Sequence, residues 1–215
     1  MSDLHYLVRP SSLKVNAPLL VMLHGYGSDE NDLFSFASEL PKEFLIISLQ
    51  APYRLQPFGY AWYAIHFDNE QGKWSDDEQA IKSRDLVADF IYSLEKKYSF
   101  DKENVTLLGF SQGTILSYAV ALTYPEKVKN VLALSGYLNS NIIDFKKDFS
   151  SYKHLDFYCS HGSVDQVIPV EWARQAPKLL DSMKIKHQYQ EFPVGHGVAP
   201  QNFYELRNWL ESKLS

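Results

Sequence analysis

Short strand-like runs alternate with stretches of helical periodicity along most of this chain of 215 residues, and that alternation leaves few folds open. Pro18–Leu23, Phe44–Leu49, Val105–Leu108, Val131–Leu134 and His154–Ser160 read as buried strands from their length and the turn residues that bound them. Lys186–Phe192 alternates and reads as a strand nearer an edge, and His5–Val8 is a candidate further strand. Ser75 and Glu78 form a capping box ahead of a long helix striped by Ala80, Val87, Phe90, Ile91 and Leu94. Gln112–Tyr124 is a second helix, stopped by Pro125, and Val170–Met183 a third, which Pro177 should kink or interrupt. Phe203, Leu206 and Leu210 stripe a last helix that starts at Pro200. Strands alternating with helices predict an α/β fold, with a mostly parallel central sheet and helices on both faces. The length favours a single domain over residues 1–215.

Hydrophobic residues make up 45% of the chain and charged residues 22%, which excludes whole-chain disorder. Twenty-one basic residues face 26 acidic ones, a formal charge of −5, so the electrostatic excess that nucleic-acid binding draws on is missing. The one cysteine, Cys159, makes no intrachain disulfide, and its place inside a predicted strand marks it as a small buried hydrophobe. The opening residues lack the basic and apolar regions of a signal peptide, and the longest apolar run, Pro18–Leu23, is far too short to span a bilayer. No stable membrane insertion and a cytoplasmic location are expected. A homodimer is left open.

The sharpest chemical signal is Gly109-Phe-Ser-Gln-Gly113, a G-x-S-x-G sequence with a strand before it and a helix after it. That context lifts the Ser111 hydroxyl above the sheet edge, beside helix N–H groups that favour negative charge. A serine nucleophile needs a base, and the base needs an orienting carboxylate. In this architecture they follow in the order Ser, acid, His. Asp165 comes after the fifth strand in His161-Gly-Ser-Val-Asp165, and His196 comes after the edge strand in Gly195-His-Gly197. Both sit just past strand C-termini, where open α/β sheets place their sites. His161 precedes Asp165 and is read as support for the Asp165 turn. His5, His66, His154 and His187 lie outside turns of the right order. An oxyanion hole should use the backbone N–H of Gln112 and that of Tyr26, in the turn His24-Gly-Tyr-Gly27 after the first core strand. His24 should anchor that turn. No C-x-x-C, H-E-x-x-H or P-loop sequence occurs, so neither a metal nor another cofactor is expected. The segment from Ala51 to Trp74 fits no regular pattern and is dense in aromatic residues. It should lie over the active site as a binding loop, with Trp62 as a main wall for a small ester substrate.

His24-Gly-Tyr-Gly27, Gly109-Phe-Ser-Gln-Gly113, His161-Gly-Ser-Val-Asp165 and Gly195-His-Gly197 together resemble the phospholipase/carboxylesterase family of α/β-hydrolases, which includes acyl-protein thioesterases and small bacterial carboxylesterases. The resemblance runs from about Pro18 to the C-terminus. It implies an α/β-hydrolase fold, Ser111 as nucleophile, Asp165 as orienter, His196 as base, and Tyr26 and Gln112 as oxyanion donors. The thioesterase branch typically continues H-G-L-G-D-T-G and carries S-W-F-D. Here the turn continues Ser28-Asp-Glu-Asn-Asp-Leu33, and Gly59-Tyr-Ala-Trp-Tyr63 stands in place of the second segment. Both features are closer to the bacterial carboxylesterase branch. The expected function is therefore cleavage of carboxylic esters through an acyl-enzyme. The alternatives are a thioesterase or lysophospholipase on the same triad, and a non-catalytic ligand-binding hydrolase fold.

Overall fold

The computed structural model describes residues 4–68 and 72–214. In chain order the first half holds β1 (Tyr6–Arg9), β2 (Ala17–Leu23), α1 (Asn31–Phe34), β3 (Leu45–Leu49), β4 (Tyr53–Arg54), β5 (Tyr60–Ala61), β6 (Ile65–Asp68), β7 (Gly72–Ser75) and α2 (Asp77–Leu94). The second half holds β8 (Phe100–Phe110), α3 (Gln112–Thr123), β9 (Asn130–Leu134), β10 (Asp156–Gly162), α4 (Val170–Ala173), α5 (Gln175–Ser182), β11 (Lys186–Phe192) and α6 (Pro200–Glu211).

Seven strands form one sheet in the order β1-β3-β2-β8-β9-β10-β11. Every pairing is parallel except that of β1 with β3. The apolar run of β2 is buried along its whole length because both faces of the sheet are covered. Leu19, Val21 and Leu23 enter a core shared with α2, α3 and α5, whereas Leu20 and Met22 enter a second core shared with Leu33 of α1 and with Leu206, Trp209 and Leu210 of α6. This is the mostly parallel, doubly covered sheet that the alternation predicts, and it fits the α/β-hydrolase fold that the resemblance implies.

Several boundaries differ from the sequence reading. The capping box shifts by one residue: Asp76, not Ser75, caps α2 and accepts from Gln79 N–H at 3.0 Å. Ser75 is committed to pairing with Ile65 in the β6–β7 hairpin, so Asp76 is the first residue free to turn into the helix. Pro177 does not kink a continuous helix. The chain divides at Arg174 into α4 and α5, which places Pro177 in the first turn of α5, where its missing N–H has no intrahelical acceptor to lose. β8 starts five residues before the apolar run that announced it. Pro18 pairs with Asp101 and Leu19 with Val105, so the polar residues 102–104 are carried outside the ladder. The aromatic segment is not irregular. Its described residues build two antiparallel hairpins, β4 with β5 and β6 with β7. Residues 69–71 of that segment lie outside the described residues.

Candidate active site

Ser111 sits between β8 and α3 with φ 55° and ψ −115°, a backbone conformation that L-residues rarely adopt. The turn is fixed from both sides. Ser111 N–H donates to the Leu134 carbonyl at 2.9 Å, and the Ser111 carbonyl accepts from Thr114 N–H at 3.0 Å. The two flanking glycines are steric requirements: a Cβ on Gly109 would strike the Gly113 carbonyl, and one on Gly113 would strike the Leu23 carbonyl. The serine thus lies where β8, β9 and β2 end together.

His196 bridges to it. Nε2 of His196 is 2.9 Å from Ser111 Oγ, and Nδ1 is 2.7 Å from Asp165 Oδ2. The Asp165 carboxylate has no solvent exposure, and the His196 ring retains 18%. Burial alone would push the Asp165 pKa up. Hydrogen bonds outweigh it: Ile168 N–H at 3.0 Å and Val167 N–H at 2.8 Å donate to Oδ1, His196 donates to Oδ2, and the net effect holds the carboxyl below its ordinary value. His161 is buried beside this turn. Its Nε2 lies 2.9 Å from the Ile168 carbonyl and 3.4 Å from Asp165 Oδ2, so it braces the Asp165 turn and does not reach Ser111. The Asp165 and His196 loops meet closely at Gly162, where a Cβ would collide with the Gly195 carbonyl.

The turn after β2 is anchored from below. His24 is fully buried; its Nδ1 meets the Gly25 carbonyl at 2.7 Å and its Nε2 accepts from Ala51 N–H at 3.0 Å. Burial lowers its pKa, in keeping with a neutral ring that holds the turn. From above, Gly27 N–H donates to the Tyr60 carbonyl at 2.9 Å, and Tyr60 N–H donates to the Ser28 carbonyl at 2.8 Å. The approach is so close that a Cβ on Gly59 would overlap the Gly27 carbonyl, and both glycines have positive φ. The first aromatic hairpin therefore clamps the turn that carries Tyr26. Gln112 opens α3, where a first-turn N–H has no acceptor within the helix.

Trp62 is placed differently from the expectation. It is fully buried, its Nε1–H donates to the His24 carbonyl at 2.9 Å, and its ring packs 5.6 Å from the His24 ring. The indole is a strut under the turn that carries Tyr26 and does not face the cavity above Ser111. The neighbouring Tyr63 and Ile65 do. That cavity, of about 550 Å³, is also lined by Tyr26, Ser111, Gln112, Ile115, Tyr137, Trp172 and His196, with Ser75, Asp77, Asn139 and Asn141 as a polar wall.

The Phospholipase/Carboxylesterase family model matches residues 7–214. The chain belongs to that family. A probable carboxylesterase of Oryza sativa subsp. japonica is 26% identical over 72% of this chain and 58% of its own length. Acyl-protein thioesterase 1 of Saccharomyces cerevisiae is 32% identical over 72% of this chain and 69% of its own. The crystal structure of the Bacillus cereus carboxylesterase superposes with a TM-score of 0.84 at 16% identity, covering 99% of this chain and 95% of that one. The chain thus spans less than two thirds of the rice protein but nearly all of the superposed carboxylesterase.

Two features of this phospholipase/carboxylesterase-family site escaped the sequence reading. One is the Gln112 side chain. Its Oε1 accepts from Trp62 N–H and its Nε2 donates to the Tyr63 carbonyl, both at 2.8 Å, which ties the aromatic segment to the serine turn. The signal was there: Gln112 is the one side-chain amide in a helix whose other polar groups are hydroxyls, and a buried amide needs partners. The other is the polar wall around Asp77, for which the sequence offered only helix-start residues. Among the described residues no three His, Cys, Asp or Glu side chains group as a metal site, and no helix is long and apolar enough to cross a membrane.

Proposed function

We propose that this member of the phospholipase/carboxylesterase family is a serine hydrolase that cleaves carboxylic esters through an acyl-enzyme. The observation that carries the reading is the His196 ring, within hydrogen-bond reach of Ser111 Oγ on one nitrogen and of buried Asp165 on the other. His196 Nε2 takes the Ser111 hydroxyl proton as Oγ bonds to the acyl carbon. Asp165 fixes the tautomer and stabilises the imidazolium. The N–H groups of Tyr26 and Gln112 receive the charge that develops on the carbonyl oxygen; one such donor is typically worth about 3 kcal/mol. The C–O bond to the leaving alcohol breaks, and the alcohol takes the proton back from His196. Water then repeats the sequence and releases the acid. All of these groups belong to one chain, so the reaction requires neither a cofactor nor the homodimer left open above. The reading takes residues 1–215 as a single domain with the aromatic segment at the mouth of the site. Its non-reacting wall is Tyr63 and Ile65, in place of Trp62. The unpaired, buried thiol of Cys159 agrees with a cytoplasmic setting.

A fluorophosphonate should add one adduct, located by mass spectrometry at Ser111, and Ser111→Ala should abolish both the adduct and nitrophenyl ester turnover. His196→Ala should cost several orders of magnitude in kcat, and adding Asp165→Ala should cost little more, because triad members act as a unit. Turnover that survives in Ser111→Ala would overturn the assignment. Thioester cleavage is a second reading, motivated by the yeast relative's name. Matched oxygen and sulfur esters of one acid separate the two, with the ester expected to give the higher kcat/KM.

A further inference from the structure

The cavity above Ser111 has a composition that simple ester chemistry does not require. Its rings include Tyr26, Tyr63, Tyr137 and Trp172, and among its described lining residues Asp77 is the one carboxylate and none is lysine or arginine. Tyr137 and Trp172 meet edge to face, with centroids 5.2 Å apart and planes at 72°. Trp172 remains 49% exposed and Tyr26 41%, so neither ring is consumed by core packing. Asp77 stands at the start of α2. Its Oδ1 accepts from Asn139 Nδ2 at 3.2 Å and its Oδ2 from Asn141 Nδ2 at 3.3 Å, which leaves lone pairs on both oxygens. The carboxylate is close enough to Tyr63 and Tyr137 that its charge adds to burial in raising both phenols, which sets one negative charge beside neutral aromatic rings.

A carboxylate beside neutral aromatic faces, with no cationic side chain described along the walls, attracts cations and repels anions. The net charge of −5 has the same sign. We propose that this cavity selects esters bearing an ammonium-type cation, which the Asp77 carboxylate and the adjoining rings of Tyr137 and Trp172 hold while Ser111 attacks the acyl carbon. The proposal rests on the serine-hydrolase reading and names its substrate class.

Two matched pairs test it. One is butyrylcholine and its carbon isostere, with tert-butyl replacing trimethylammonium. The other places the same exchange at the end of the acyl chain of a nitrophenyl ester. The wild type should favour the cation in at least one pair by about fivefold in kcat/KM, the range of a half-solvated cation–π or ion-pair contact. Asp77→Asn should bring that ratio close to one. If Asp77 serves only to tie the 139–141 loop to α2, the substitution will move the melting temperature and leave the ratio alone, and the proposal fails. A second measurement needs no variant. Butyltrimethylammonium should inhibit neutral-ester hydrolysis competitively, and butanesulfonate at equal ionic strength should not; equal inhibition by the two would also overturn the idea. If the wild type turns over no ester of either pair, the ester-hydrolase reading falls. If neutral esters are cleaved and the cation gives no advantage, only the selectivity falls.

Discussion

Removing the Gln112 side chain should weaken the whole fold, even though the group stands one residue from Ser111 and has no part in the proton transfers proposed above. Its amide makes two hydrogen bonds of 2.8 Å to the backbone of Trp62 and Tyr63, and all three residues are at most 2% exposed. Gln112→Ala leaves the Trp62 N–H and the Tyr63 carbonyl buried without those partners. Each orphaned group costs about 1–3 kcal/mol. Water admitted into the vacated volume recovers part of that. A net loss of about 3 kcal/mol is expected, which at the urea m-value of a chain this long lowers the midpoint by about 1 M. Equilibrium unfolding followed by fluorescence of the four tryptophans reads it directly. A loss under about 1 kcal/mol with unchanged m would refute the accounting, because two buried polar groups cannot go unpaired so cheaply. Gln112→Glu sharpens the test. A carboxylate keeps an acceptor for Trp62 N–H but turns a second lone pair toward the Tyr63 carbonyl. Only the protonated acid can donate there, so the deficit of this variant against the wild type should shrink as pH falls.

Other outcomes follow from the same geometry. Ser111→Gly should be more stable than Ser111→Ala by about 1 kcal/mol in urea, since both lack the hydroxyl and only glycine accepts φ 55°, ψ −115° without strain. The Asp165 carboxyl binds its proton less readily in the folded chain than in the unfolded one, so its stabilisation is complete above the ordinary carboxylate value of about 3.9 and is lost as pH falls through the lowered folded value. The stability difference between wild type and Asp165→Asn should therefore be flat at neutral pH and narrow only in acid; narrowing toward alkaline pH would contradict the assignment. Cys159 is buried and accepts a hydrogen bond from Tyr118 at 3.0 Å, and burial pushes its thiol up to about 12. Iodoacetamide at neutral pH should leave ester turnover intact and alkylate the thiol only after denaturant is added, as mass spectrometry would show.

What the sequence disclosed and what it hid divide along one line. Strand and helix identity depends on local periodicity, and the apolar runs that became β2, β3, β9 and β10 are visible without any partner. Ser111, Asp165 and His196 were legible because each is flanked by turn residues at the end of such a run, and the chain order of nucleophile, acid and base restricts the pairing. The beginning of β8 was hidden because residues 100–104 carry no apolar alternation; Phe100 and Asp101 join the sheet only because Ala17 and Pro18 offer them a ladder, and 102–104 stay outside it. The cap of α2 was misplaced by one residue because Ser75 and Asp76 are both good cap residues. The choice between them is made by the β6–β7 hairpin, a pairing with no short-range signature.

The exchange of Trp62 for Tyr63 is the same problem at the site itself. Aromatic density between residues 51 and 74 marks a segment that must bury rings, yet it does not say which ring faces inward. The indole has one N–H donor and no acceptor, so burying it demands a carbonyl in line with it. The His24 carbonyl supplies that partner beneath the turn that carries Tyr26, and Ser83 Oγ closes on the Trp62 carbonyl from α2. With both ends of Trp62 held, and Gln112 gripping the Trp62 N–H and the Tyr63 carbonyl, the next ring along the chain is turned toward Ser111. A change of wall position by one residue follows from two hydrogen bonds made to residues about forty positions before and twenty positions after Trp62. Such contacts are set by the assembled sheet, and no reading of the segment alone can supply them.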